Sequence, residues 1–314
     1  MKRRWPGSAT AGQLRELLTD GERAVRSGGT SILAQADAAA LAKDWQQAAT
    51  LYAQAGDRPE ILLSRMEALM RGGAFETCAR LAREAMDKTG DTQTAIDFVS
   101  VATECAKERH DTALLARAEQ RLTGLLADKN APIAVDDRGA AYQMLWELRA
   151  SAGDKPGAEE AAKELLSELG EAAAKAPDAY AASTFNWARA SAYLYLKQGP
   201  EALKMLEASE KALPDDYNPP AHQARVYREL DRPDDGLAAL ARALPKAYGP
   251  RKGGLLGLKG ELYERKGDLP SAAEAYQAQV SLYEALPPEQ LPPGRLQTAQ
   301  ANAARCKQGA QAAR

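Results

Sequence analysis

The sequence predicts an all-α protein, built as a solenoid of about seven antiparallel helix pairs plus a capping helix. Three observations carry this. Alanine supplies 66 of 314 residues, whereas Ile, Val and Thr together supply only 23. Alanine is the best helix former and β-branched residues favour sheets, so extended sheets are disfavoured. The second observation is a repeated pattern: an apolar stripe at helical spacing, a small residue, a turn, then a second stripe with its own small residue. The third is a lack of any 18-residue apolar run, which leaves no membrane-spanning helix to predict. With 41 basic and 43 acidic residues the formal charge is -2, and a basic nucleic-acid-binding surface is not expected.

The elements follow in chain order. Residues 1–29 form a tail and a single helix, with Leu14, Leu17, Leu18 and Val25 on one face of 11–27 and Gly28-Gly29 ending it. Residues 30–128 form a first lobe. Its first unit ends with Trp45, Ala48, Tyr52 and Ala55. A second starts at Pro59, with Leu62, a Gly72-Gly73 turn, Phe75, Cys78 and Ala85. A weaker unit has helices near 92–107 and 111–127. Asp128-Lys129-Asn130-Ala131-Pro132 is the best break in the chain, and Asp136 and Asp137 suit a following helix start. Residues 136–286 form a second lobe of four pairs. The first has Leu145, a Gly153-Asp154 turn, Ala158 and Ala162, with Trp146 departing from the small position. Ala190, Tyr193, Gln198-Gly199 and Ala202 mark the next pair. Ala224, Tyr227, Asp231-Arg232-Pro233 and Ala243 mark the third. The clearest pair has Leu255, Leu258, Gly260, Leu262 and Tyr263, then Lys266-Gly267-Asp268, Ala272 and Tyr276. Two Leu-Pro-Pro segments connect this lobe to a polar helix over 294–308, which suits a cap on the last apolar face.

The unit around Gly260, Tyr263, Ala272 and Tyr276 resembles the tetratricopeptide repeat. Ala202, Gly236 and Ala272 follow one another at close to its ~34-residue period. The resemblance implies that the pairs stack as a right-handed superhelical solenoid, that small residues sit where the two helices cross, and that the first helix of each pair lines a concave groove. It points Gln143, Glu147, Trp187, Ser191, Tyr195, Asn218, Arg225, Arg228, Glu261 and Glu264 into that groove. Aromatic residues and Arg dominate binding hot spots, which singles out Trp187 and Tyr195 beside Arg225 and Arg228. Packing of Trp187 and Tyr195 between repeats is the competing reading. The Lys and Asn set of the carboxylate clamp in chaperone-binding relatives does not appear, so chaperone tails are not expected by that route.

A further resemblance rests on Asp216-Tyr217-Asn218-Pro219-Pro220-Ala221, Val226-Tyr227-Arg228-Glu229-Leu230 and Ala247-Tyr248-Gly249-Pro250-Arg251-Lys252. Together these look like the helical tail of bacterial proteins that join a thioredoxin-like domain to such repeats. In those proteins a Cys-x-x-Cys pair precedes the repeats; this chain has none, and no redox residue is carried over.

No phosphate-binding loop, nucleophile elbow or metal-binding His pair occurs. Catalytic residues, a metal and a cofactor are therefore not expected. Cys78, Cys105 and Cys306 lie far apart and read as separate core residues. His110 and His222 have no ligand set nearby. No secretory signal follows the basic Lys2-Arg3-Arg4, so cytoplasm is the expected location. These readings point to a non-catalytic scaffold that holds a peptide or helix of another protein in its groove. The alternative is a partner-binding module of a thioredoxin-like redox protein whose Cys-x-x-Cys domain lies elsewhere.

Overall fold

In the computed structural model, residues 31–90, 92–287, 290–291 and 294–312 are described. The expected helix over 11–27 lies outside them. The described residues are helical, with turns between: α1 Ile32–Leu41, α2 Trp45–Ala55, α3 Pro59–Arg71, α4 Phe75–Ala85, α5 Gln93–Glu108, α6 Thr112–Ala127, α7 Val135–Ser151, α8 Lys155–Ala174, α9 Ala179–Ser183, α10 Asn186–Tyr195, α11 Gly199–Ala212, α12 Asn218–Glu229, α13 Pro233–Ala243, α14 Gly249–Arg265, α15 Leu269–Glu284 and α16 Arg295–Ala312. The short helix α9 had no counterpart in the sequence pattern.

One turn is reused between the helices of seven pairs. Its left-handed residue is Lys43, Gly73, His110, Gly153, Lys197, Asp231 or Gly267, with φ between 53° and 84°. The next residue donates its N–H to the carbonyl five residues back, at 2.7–3.0 Å: Asp44 to Ala39, Ala74 to Leu69, Asp111 to Ala106, Asp154 to Arg149, Gln198 to Tyr193, Arg232 to Tyr227 and Asp268 to Tyr263. This closure satisfies the last carbonyls of the first helix. Where that residue is Asp, it also caps the second helix. Asp44, Asp111, Asp154 and Asp268 accept from the backbone N–H of Gln47, Leu114, Gly157 and Ser271. A left-handed residue followed by Asp therefore stops one helix and starts the next.

Small residues then set the helix approach. A Cβ at Gly236 would stand 2.9 Å from Leu262 Cδ1, and one at Gly260 would stand 2.6 Å from the Tyr276 ring. Neither position has room for one. Ala190, Ala202, Ala224 and Ala272 are wholly buried. In the second unit polar contacts join successive pairs, and they keep the same phase as the repeat. Arg228 pairs with Glu261 at 2.7 Å, Arg242 with Glu210 at 2.8 Å, and Arg265 with Asp231 at 3.4 Å.

The chain forms two compact units that divide between Glu168 and Leu169, inside α8. The loop over 128–132, expected as the best break, is bridged. The Arg138 side chain, 3% exposed, pairs with Glu168 at 2.6 Å and donates to the carbonyls of Asp128 and Leu126. It therefore holds α6, the loop, α7 and α8 within the first unit.

The cysteine reading needs correction. Cys78 on α4 and Cys105 on α5 are joined by a disulfide, with Cα atoms 6.1 Å apart and both residues fully buried. Their separation of 27 residues hid the pair, because the sequence brings them together only once α4 packs on α5. Cys306 is a free, buried cysteine.

In the second unit, α16 covers the last pair. Ala303 and Cys306 pack on Ala272 and Tyr276. Arg305 grips Glu264 with two hydrogen bonds, at 2.7 and 2.8 Å, while Tyr276 donates to the same carboxylate. Glu264, expected in the groove, is thus occupied by the capping helix.

Candidate partner-binding groove

The site lies in the second unit, on α10, α12, α14 and α16. Pro219 and Pro220 fit the first turn of α12, where proline costs no hydrogen bond. They set the register of the helix that carries Asn218, His222, Arg225 and Arg228.

Two adjoining open cavities run along this face. One, of about 390 Å³, is lined by Arg225, Arg228, Gly257, Glu261, Gln279 and Asn302 among others. The other, of about 420 Å³, is lined by Tyr217, Asn218, His222, Arg225 and Arg251 among others. Arg225, Gly254 and Arg295 border both. A Cβ at Gly254 would meet nothing within 4 Å, so the floor is bare backbone there.

Trp187 on α10 is 38% exposed. Its ring lies 5.2 Å from that of His222, and the Arg225 guanidinium sits 5.4 Å from the indole centroid. Burial, and then the charge on Arg225, push the His222 imidazole down to a pKa of about 4. It is neutral at pH 7, and its Nδ1 is buried without a hydrogen-bond partner among the described residues. Burial, followed by Arg228, also lowers Arg225 from its ordinary value. Arg228 is tied to Glu229 and Glu261. Arg251 donates to the Tyr217 hydroxyl at 2.8 Å.

Of the groove residues expected from sequence, Asn218, Arg225, Arg228 and Glu261 line these two cavities, and Trp187 stacks at their edge through Arg225. Asn218 bonds back to Asp216 at 2.9 Å. Tyr195 is half-buried at the end of α10 and lines neither cavity. Gln143 and Glu147 belong to the first unit, where Gln143 donates to Glu147 at 3.1 Å. Arg251, quoted in the Ala247–Lys252 segment, and Arg295, on the capping helix, were not expected in the groove. Each follows a Pro and Gly in a connector, so neither falls on the stripe that identifies a groove residue. Among the described residues, no three His, Cys, Asp or Glu side chains gather as a metal site, and no helix is long and apolar enough to cross a membrane.

No family model and no curated protein matches the chain. Among solved structures, a tetratricopeptide repeat protein from Parabacteroides merdae is 12% identical, with 88% of this chain and 97% of that chain covered, at a TM-score of 0.55. BtubC from P. vanneervenii is 18% identical over 65% of this chain and 84% of its own, at 0.45. The first comparison shows the fold: helix pairs of the tetratricopeptide type.

Proposed function

We propose that this protein is a non-catalytic interaction scaffold that holds a segment of a partner protein in the groove of its second unit. The observation that carries this reading is the open cleft along α12 and α14, with its bare glycine floor and converging arginines and amides. Concave surfaces of this kind, on stacked helix pairs, suit extended or helical peptides.

The test is affinity purification on the intact chain and on Trp187→Ala, with helical circular dichroism recorded for both. A stoichiometric partner kept by the parent and lost by a folded variant is the expected result. Equal retention would move binding away from Trp187. No stoichiometric partner on either would sink the scaffold reading, and a variant that loses helicity would assign Trp187 to packing.

The disulfide also supports a location. Such bonds persist in oxidising compartments and are rare in the cytosol, so we place the working protein in an oxidising compartment in preference to cytoplasm. Both cysteines are fully buried, which suits a structural staple and offers no access to a substrate disulfide.

A further inference from the structure

The cations of the second unit fall into two groups. Arg242, Arg265, Lys266 and Arg305 each meet a carboxylate from a neighbouring helix or pair. In the groove the pattern differs. Arg228 is neutralised by Glu229 and Glu261, but among the described residues no carboxylate forms an ion pair with Arg225, Arg251 or Arg295. Three guanidinium groups without an ion-pair partner thus border the two adjoining cavities, whose one lining carboxylate, Glu261, is already paired with Arg228 and also acts on Arg225, in a chain whose formal charge is -2. Such a local excess attracts an anionic ligand, and arginine's planar fork suits paired contacts with carboxylates.

The rest of the cleft favours a polypeptide over nucleic acid. Single-stranded nucleic acid needs free aromatic faces on which bases stack. Here Trp187 already carries Arg225 and His222, Tyr217 is 9% exposed with its hydroxyl taken by Arg251, and the exposed Tyr248 meets Tyr217 edge-on without lining either cavity. The cleft instead offers the side-chain amide of Asn302 and, at Gly254, a helix surface with open space above it. An extended chain can lie close against that surface, with the Asn302 amide in reach of its N–H or C=O groups.

We propose that the cleft takes an extended acidic segment of a partner protein, whose Asp and Glu carboxylates are held by Arg225, Arg251 and Arg295. The proposal rests on the groove reading above and adds the chemistry of the partner.

A phage-displayed random peptide library selected on the full chain tests both and separates them. Selected peptides are resynthesised and titrated by fluorescence anisotropy. The titrations use the parent, the triple variant Arg225→Gln/Arg251→Gln/Arg295→Gln and the control Arg265→Gln, all checked by circular dichroism. The expected result is enrichment of Asp and Glu, affinity that falls with added salt, and a loss of about tenfold per arginine removed, with the control unchanged. Neutral or basic winners would overturn the acidic assignment while leaving peptide binding intact. Acidic winners that bind the triple variant as tightly as the parent would overturn the site. If no peptide is enriched, the groove reading fails too. A labelled single-stranded oligothymidine that binds the parent and not the triple variant would assign the cleft to nucleic acid and overturn the proposal. Should the triple variant lose helicity, the single variants Arg251→Gln and Arg295→Gln replace it, since Arg295 is exposed and makes no ion pair among the described residues.

Discussion

The two compact units use the same turn, yet they are secured in different ways. The first is tied covalently between α4 and α5 and internally by the buried Arg138, which reaches three segments at once. The second has no disulfide among its described residues. It relies on close contact, with glycines under aromatic rings, and leaves three arginines in an open cleft without carboxylate partners. One repeat geometry can thus be spent on rigidity or on a charged recess, according to which side chains occupy the positions that the turn leaves free.

The largest expected effect breaks that contrast from the first unit. Closing a 27-residue loop should contribute about 3.5 kcal/mol. The double variant Cys78→Ala/Cys105→Ala should therefore lower hydrogen-exchange protection in α4 and α5 and spare α12–α15. An equal fall in both regions would mean that the units do not differ in how they are held.

A smaller effect comes from the second unit. Gly260→Val places side-chain atoms inside the Tyr276 ring and should cost about 1–3 kcal/mol by overpacking. Urea unfolding followed by exchange in α14–α16 checks it. A loss reaching α4 and α5 as strongly as α15 would contradict separate units.

The smallest effect tests what the units share. Lys197 and His110 occupy left-handed backbone, at φ 59° and 53°, where a Cβ costs about 1–2 kcal/mol and glycine's extra chain entropy returns roughly half. Lys197→Gly and His110→Gly should each raise stability by about 0.5–1 kcal/mol. A gain at one position alone would show that the turns are not energetically equivalent.

Much of the fold was legible because its signals are local. Gly153-Asp154 and Gly267-Asp268 announce a left-handed stop followed by a cap, and Gly260, Ala272 and Tyr276 state the crossing in their own order. The same turn at Lys43-Asp44 and His110-Asp111 lacks glycine and gave no such notice. What escaped needed contacts distant in sequence. Cys78 meets Cys105 only across two pairs, and Arg138 looked like an ordinary residue after Asp137 until its partners appeared on α6 and α8. The groove was half readable. Arg225, Arg228 and Glu261 follow the helical stripe, whereas Arg251 and Arg295 enter from helix starts that the stripe does not index.

The staple between α4 and α5 also has a mechanical meaning. A chain of stacked pairs pulled from its ends pays out length pair by pair, each residue yielding about 3.5 Å when straightened. The residues between Cys78 and Cys105 cannot join that extension, because the load passes through sulfur and leaves the enclosed loop slack. Under tension this stretch is a knot of fixed length within an otherwise extensible strand, and it becomes extensible only when the thiols are released.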